Sequence, residues 1–130
     1  MNLQTRLKQE LWQAVQSSYE ARNFTGAIID AIYFLSDLIR QKTDLSSDGV
    51  VLVGQAFGGK DPKLKVNKLQ NESDWNIQKG MEQMIRGFYQ SIRNPRSHNK
   101  YTDSSEDADA IILFINMLIR IIDQSKSPFT

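Results

Sequence analysis

Cysteine is missing from this sequence, and histidine occurs once. The first absence excludes disulfides, thiol nucleophiles and thiolate metal sites. The second leaves a catalytic zinc centre poorly supported, since such sites take three protein ligands. An excess of one charge is also lacking. Sixteen Lys and Arg stand against fifteen Asp and Glu, for a net charge of +1. Composition therefore does not mark a nucleic-acid binder, and a basic surface has to be a local patch. No charged-then-apolar signal segment opens the chain, so a cytoplasmic location is the expectation, with no membrane partner. The longest apolar run, Ala108 to Ile122, is broken by Asp109, Asn116 and Arg120. It falls short of the roughly 20 residues that span a bilayer.

What is present is a helical period. A chain of 130 residues, 40% hydrophobic and 24% charged, is long enough for one domain with its own core. Leu3, Leu7, Leu11, Ala14, Val15 and Tyr19 share one helix face. After a break at Arg22-Asn23-Phe24-Thr25, where Asn23 or Thr25 can cap, a second face runs through Ala27, Ile28, Ala31, Ile32, Leu35, Leu38 and Ile39. The short break favours an antiparallel pair. A third helix runs through Ile77, Met81, Met84, Ile85, Phe88 and Ile92, with Gly80 and Gly87 on nearly one side. Those glycines invite the close approach of another backbone, or are simply tolerated. The last helix is expected to start at Asp103, paired with Glu106 as in a capping box. It is apolar almost all round, which calls for a central position or a dimer interface. Between the second and third helices, residues 42–71 are ambiguous. Val50-Val51-Leu52-Val53 has strand propensity and Gly58-Gly59 is a turn signal, compatible with a hairpin or with a short helix from Asp48 to Phe57. The sum is an all-α domain of four main helices with one irregular insertion.

The chemistry-bearing stretch is Arg93-Asn94-Pro95-Arg96-Ser97-His98. Proline disfavours helical geometry at the preceding residue, so Asn94 is expected to form a kink. Such a kink lets Arg93 and His98 face one pocket, whereas residues five apart in an unbroken helix diverge by about 140°. Histidine can serve as general acid or base near its ordinary pKa of about 6.5, and arginine can bind a phosphate in bidentate fashion. Together they suit phosphodiester cleavage without a metal or cofactor. RNA is the accessible substrate, because its 2′-hydroxyl is an internal nucleophile. A helix-end cap or plain surface histidine is the competing reading.

The Arg-Asn-x-x-x-His pattern resembles the signature of the HEPN superfamily. The wider sequence resembles its Ymh-like branch through Asn71-Glu72-Ser73-Asp74, Gly80, Arg86-Gly87, Ile92-Arg93-Asn94-Pro95 and Ser97-His98. Asp48-Gly49 and Gln55-Ala56-Phe57 add to the likeness and favour a helix there. The resemblance spans roughly residues 19 to 122. It implies an up-and-down four-helix bundle and a metal-independent endoribonuclease of toxin–antitoxin or phage-defence systems. It also implies a homodimer whose two motifs meet in one cleft, with an antitoxin or other defence protein as a further partner. By the same resemblance Arg93 binds the scissile phosphate, Asn94 assists and His98 is the general acid or base. A non-catalytic RNA- or nucleotide-binding adaptor is the alternative.

Around the motif, Arg86, Arg96 and Lys100 can track an RNA backbone, as can the lysines at 60, 63, 65 and 68. Tyr101 is the better placed of the flanking tyrosines to stack on a base, while Trp12 and Trp75 read as packing or interface residues in preference to base-stacking platforms. Asp30, near the apolar face of the second helix, can orient a cation of the site.

Overall fold

The computed structural model describes residues 2–127, which fold as helices: α1 Gln9–Glu20, α2 Phe24–Thr43, α3 Gly49–Phe57, α4 Glu72–Phe88, α5 Asn94–His98 and α6 Ser105–Gln124. A 3-10 turn at Gln4–Arg6 precedes α1, and a π turn at Tyr89–Arg93 joins α4 to α5. None of these helices is long and apolar enough to cross a membrane.

α2 is the element around which the others pack, touching α1, α3, α5 and α6. Ala27, Ile28, Ala31, Ile32, Leu35 and Ile39 are buried along it, as the periodicity requires. Each large apolar side chain among them contributes about 1.5–3 kcal/mol on burial. Asn23 caps this helix by accepting from the Gly26 amide at 3.0 Å.

The first apolar stretch is not one continuous helix. Leu7 is extended, and the Lys8 amide donates to the Asn116 side chain at 2.9 Å. The polar stripe of α6 accounts for the break. Asn116 is buried and takes a backbone group of the incoming chain, while Asp109 accepts from the Tyr19 hydroxyl at 2.7 Å. That hydrogen bond, with burial, pushes the Tyr19 hydroxyl up to about 12. Buried polar groups need partners, and these two find theirs on α1 and its lead-in.

The ambiguous middle region contains a helix. Asp48 caps α3, and Leu52, Val53, Ala56 and Phe57 are buried at helical spacing. Packing against α4 and α2 overrides the strand propensity of the valines. No hairpin follows among the described residues; one isolated antiparallel bridge joins Lys65 to Lys126. The loop is held by a buried amide instead. Gln78 Nε2 donates to the carbonyls of Phe57 and Leu64 at 2.9 and 2.8 Å, and its Oε1 accepts from the Val66 amide at 3.0 Å.

α4 departs from expectation on its outer side. Ile85 and Phe88 face the core, but Ile77 is 52% exposed and Met84 37%. A methyl group placed on Gly80 or Gly87 would meet nothing within 4 Å, so among the described residues no other segment's backbone approaches either. Beside them a groove of about 360 Å³ runs between Met84, Phe88 and Ile92 of the α4 side and Ala110, Ile111 and Phe114 of α6.

Candidate active site

Asn94 does not leave helical geometry: its φ and ψ are −61° and −48°. The backbone accommodates Pro95 by widening. In the π turn the Asn94 amide donates to the Tyr89 carbonyl, five residues back. A proline in register with an α-helix would lose a hydrogen bond and press its ring against a carbonyl, and the wider turn relieves both. The turn is anchored to α2 by the buried Tyr89, whose hydroxyl lies 2.6 Å from that of Ser36. Burial pushes the Tyr89 hydroxyl up to about 12, so it stays protonated.

Without a kink at Asn94, Arg93 and His98 do not share a pocket within one chain. The residue that lines a cleft with Arg93 is Ser97, four positions on, opposite Ile29, Tyr33 and Ser36 of α2. The cleft holds about 20 Å³, room for little more than a water, so any phosphodiester has to bind across its mouth. The His98 side chain is exposed and makes no hydrogen bond or ion pair among the described residues.

Arg93 is held from two sides. Its Nη2 donates to Asp48 Oδ2 at 2.5 Å and its Nη1 to Asn94 Oδ1 at 3.1 Å. Asp48 also accepts from the Gly49 amide at 2.7 Å, and Arg40 lies 3.5 Å from its other side. Arg40 is itself bonded to Asp37 at 2.7 Å and to the Ser47 carbonyl at 3.1 Å. Gly49 has a φ of +61°, the left-handed region that favours glycine, and a Cβ there would stand 3.4 Å from Arg93 Nη1. Asp48-Gly49 is thus a seat for the guanidinium. Its role was not legible beforehand, because the two partners are 45 residues apart and only the Asp-Gly dipeptide hinted at it.

Arg96 has a different task from the one expected. Its guanidinium is buried and grips Asp103 with both arms, Nε to Oδ2 at 3.1 Å and Nη2 to Oδ1 at 2.6 Å. Asp103 accepts from the Thr25 hydroxyl at 2.8 Å as well. Burial raises the Asp103 carboxyl, but Arg96 and Thr25 outweigh it and hold the group below its ordinary value. With Asp103 so engaged, α6 is capped by Ser104, which accepts from the Asp107 amide at 3.1 Å. Tyr101 lies over the Arg96 guanidinium, 4.3 Å from centroid to Cζ. Lys100 is exposed beside them and unpaired among the described residues. Arg86 sits apart, over Gly54 of α3, bonded to Glu82 at 3.0 Å. Asp30 accepts from Ser18 at 2.8 Å and orients no cation of the site. Among the described residues, no three His, Cys, Asp or Glu side chains come together as a metal site requires.

No curated protein and no solved structure gives a match to this chain. A family model described as "Protein of unknown function (Hypoth_ymh)" matches residues 5–122. On that match, over nearly its whole length, the chain belongs to the Ymh family.

Proposed function

We propose that the protein is a metal-independent endoribonuclease of a toxin–antitoxin or phage-defence type, built on a HEPN-like four-helix up-and-down bundle. The observation that carries this reading is an anchored guanidinium, Arg93, at a cleft mouth, with an exposed and unpartnered imidazole, His98, at the end of the short helix that follows it. In the reaction the 2′-oxygen of RNA attacks the adjacent phosphorus as the bond to the 5′-oxygen breaks. One proton leaves the 2′-hydroxyl and one reaches the departing 5′-oxygen, and His98 mediates a transfer as general acid or base. Arg93 stabilises the charge that develops on the phosphate oxygens. Asn94 gives its carbonyl oxygen to Arg93, which leaves its NH₂ for the substrate.

Because Arg93 and His98 are not neighbours in one chain, the reading calls for a homodimer in which His98 of one protomer approaches Arg93 of its partner. The outer face of α4, with Ile77, Gly80, Met84 and Gly87 uncovered, and the adjoining groove on α6 are the surface that supports it. Purified protein incubated with mixed RNA in EDTA should yield 2′,3′-cyclic phosphate and 5′-hydroxyl ends. His98→Ala should abolish them; an inactive wild type, or a variant as active as the wild type, overturns the proposal.

A second reading has one observation in its favour: Arg93 is tied to Asp48 rather than standing free. In it the motif holds RNA or a nucleotide without cutting, as an adaptor for an antitoxin or another defence protein. Tight RNA binding that Arg93→Ala removes, with no new ends formed, selects this alternative.

A further inference from the structure

Where the end of α3 meets the first half of α4, a cavity of about 520 Å³ opens on the surface. That volume lies within the range that small-molecule sites occupy. Its nearest residue on α4, Gln83, precedes Arg93 by ten positions, about 15 Å along a helix. The cavity is therefore separate from the motif.

Its walls combine three features. The first is bare backbone. A Cβ on Gly58 would stand 2.5 Å from Glu82 Oε2 and 2.6 Å from the Gly54 carbonyl, and Gly59 has a φ of +82°. The Glu82 carboxylate lies against Gly58, while the amides of Gly59 and Lys60 beyond it have no acceptor among the described residues. The second feature is unspent positive charge. Lys60 and Lys79 line the cavity and form no ion pair among the described residues. Glu82, the acidic group at the rim, is already bonded to Arg86. The third is a flat apolar surface: Trp75 is half-buried, lines the cavity and contacts no other aromatic ring among the described residues. The wall between is fixed by Gln78, whose amide ties the Phe57 and Leu64 carbonyls and the Val66 amide together.

An aromatic face beside two free ammonium groups and free backbone amides recognises a flat base joined to a phosphate. We infer that this cavity binds one nucleotide, its base stacked on Trp75 and its phosphate held by Lys60 and Lys79. The nucleotide is either a free nucleoside monophosphate or one unit of a single strand. The inference stands on these residues and does not depend on whether Arg93 and His98 cleave RNA.

Calorimetric titration with AMP and with a 2′-O-methyl RNA hexamer, which lacks the internal nucleophile, tests it. Binding of AMP identifies a free nucleotide, and binding of the hexamer alone identifies a strand. Trp75→Ala should weaken whichever binds by roughly 5- to 100-fold, and Trp75→Phe far less. The Lys60→Gln/Lys79→Gln double variant, altered only at exposed positions, should also weaken it and flatten its salt dependence. Absence of binding by both probes, or unaltered binding in the lysine double variant, overturns the inference even if Trp75→Ala fails to fold. A wild type that binds AMP but leaves RNA intact refutes the ribonuclease alone. One that cleaves RNA, with binding indifferent to these variants, refutes the nucleotide site alone.

Discussion

Two arginines three residues apart, Arg93 at the end of the π turn and Arg96 in α5, each pair with an aspartate, and the two pairs differ in nearly every physical respect. Arg96 and Asp103 have side chains only 7% and 3% exposed, while Arg93 and Asp48 are 23% and 49% exposed. The first pair is bidentate, and the Thr25 hydroxyl adds to it, so every polar atom is answered inside the protein. The second is a single contact at a cleft mouth, with a glycine beneath the guanidinium and solvent above. A buried pair with excellent geometry fixes structure, whereas an exposed one is worth little to stability and can exchange its partner. The contrast separates an arginine that holds α5 to the start of α6 from one whose exposed partner a ligand can replace. Sequence position alone could not have told them apart.

The sharpest way to break the comparison is to remove each arginine. Arg96→Ala leaves Asp103 buried without its partner and should cost about 3–5 kcal/mol in urea unfolding. A loss below 1 kcal/mol would show that the two pairs are alike after all. Because the folded Asp103 carboxyl is depressed, the pair's contribution is complete above about pH 4, where the unfolded residue is ionised. It drains away as acid takes the pH down through the folded value, and Asp103→Asn should erase that slope. Arg93→Ala should do the opposite of Arg96→Ala: cleavage should fall roughly 100- to 1,000-fold while stability shifts by less than about 1 kcal/mol. Asp48→Ala tests the exposed pair from its other end. It removes an α3 cap and should lower stability by about 1 kcal/mol, read from the denaturation midpoint. The smallest effect belongs to Tyr101→Ala, which uncovers the Arg96 guanidinium and should cost about 0.5 kcal/mol by the same measurement.

The elements that repeat every three to four residues were legible in advance. The buried stripe of α2 and the cap at Asn23 follow from side-chain spacing and local hydrogen bonding. Helix α3 was not decidable from propensity, because its valines favour a strand and its helical face exists only against α2 and α4. The start of α6 moved by one residue for a similar reason: Asp103 caps well in isolation, but Arg96 and Thr25 claim its carboxylate. Of the site, Arg93, Asn94 and His98 stood out as residue types in a pattern. Asp48 and Arg40 did not, since ion pairs across distant segments leave no periodic trace. The role of Ser97, rather than His98, beside Arg93 followed from the helical backbone at Asn94, which local proline rules had argued against.

The π turn has a consequence for how the chain can vary. A wide turn amounts to one residue inserted into a continuous helix, and it resets the rotational phase of everything after it. The packing face of α4 and the direction in which Arg93 and Ser97 point are therefore set separately. Residues before Tyr89 can change to suit the core without swinging the motif, and the motif can keep its aim without dictating that core. Removal of that one residue would restore an ordinary helix and turn the downstream side chains by about 100°. The aim of the site thus rests on a count of residues as much as on their identity.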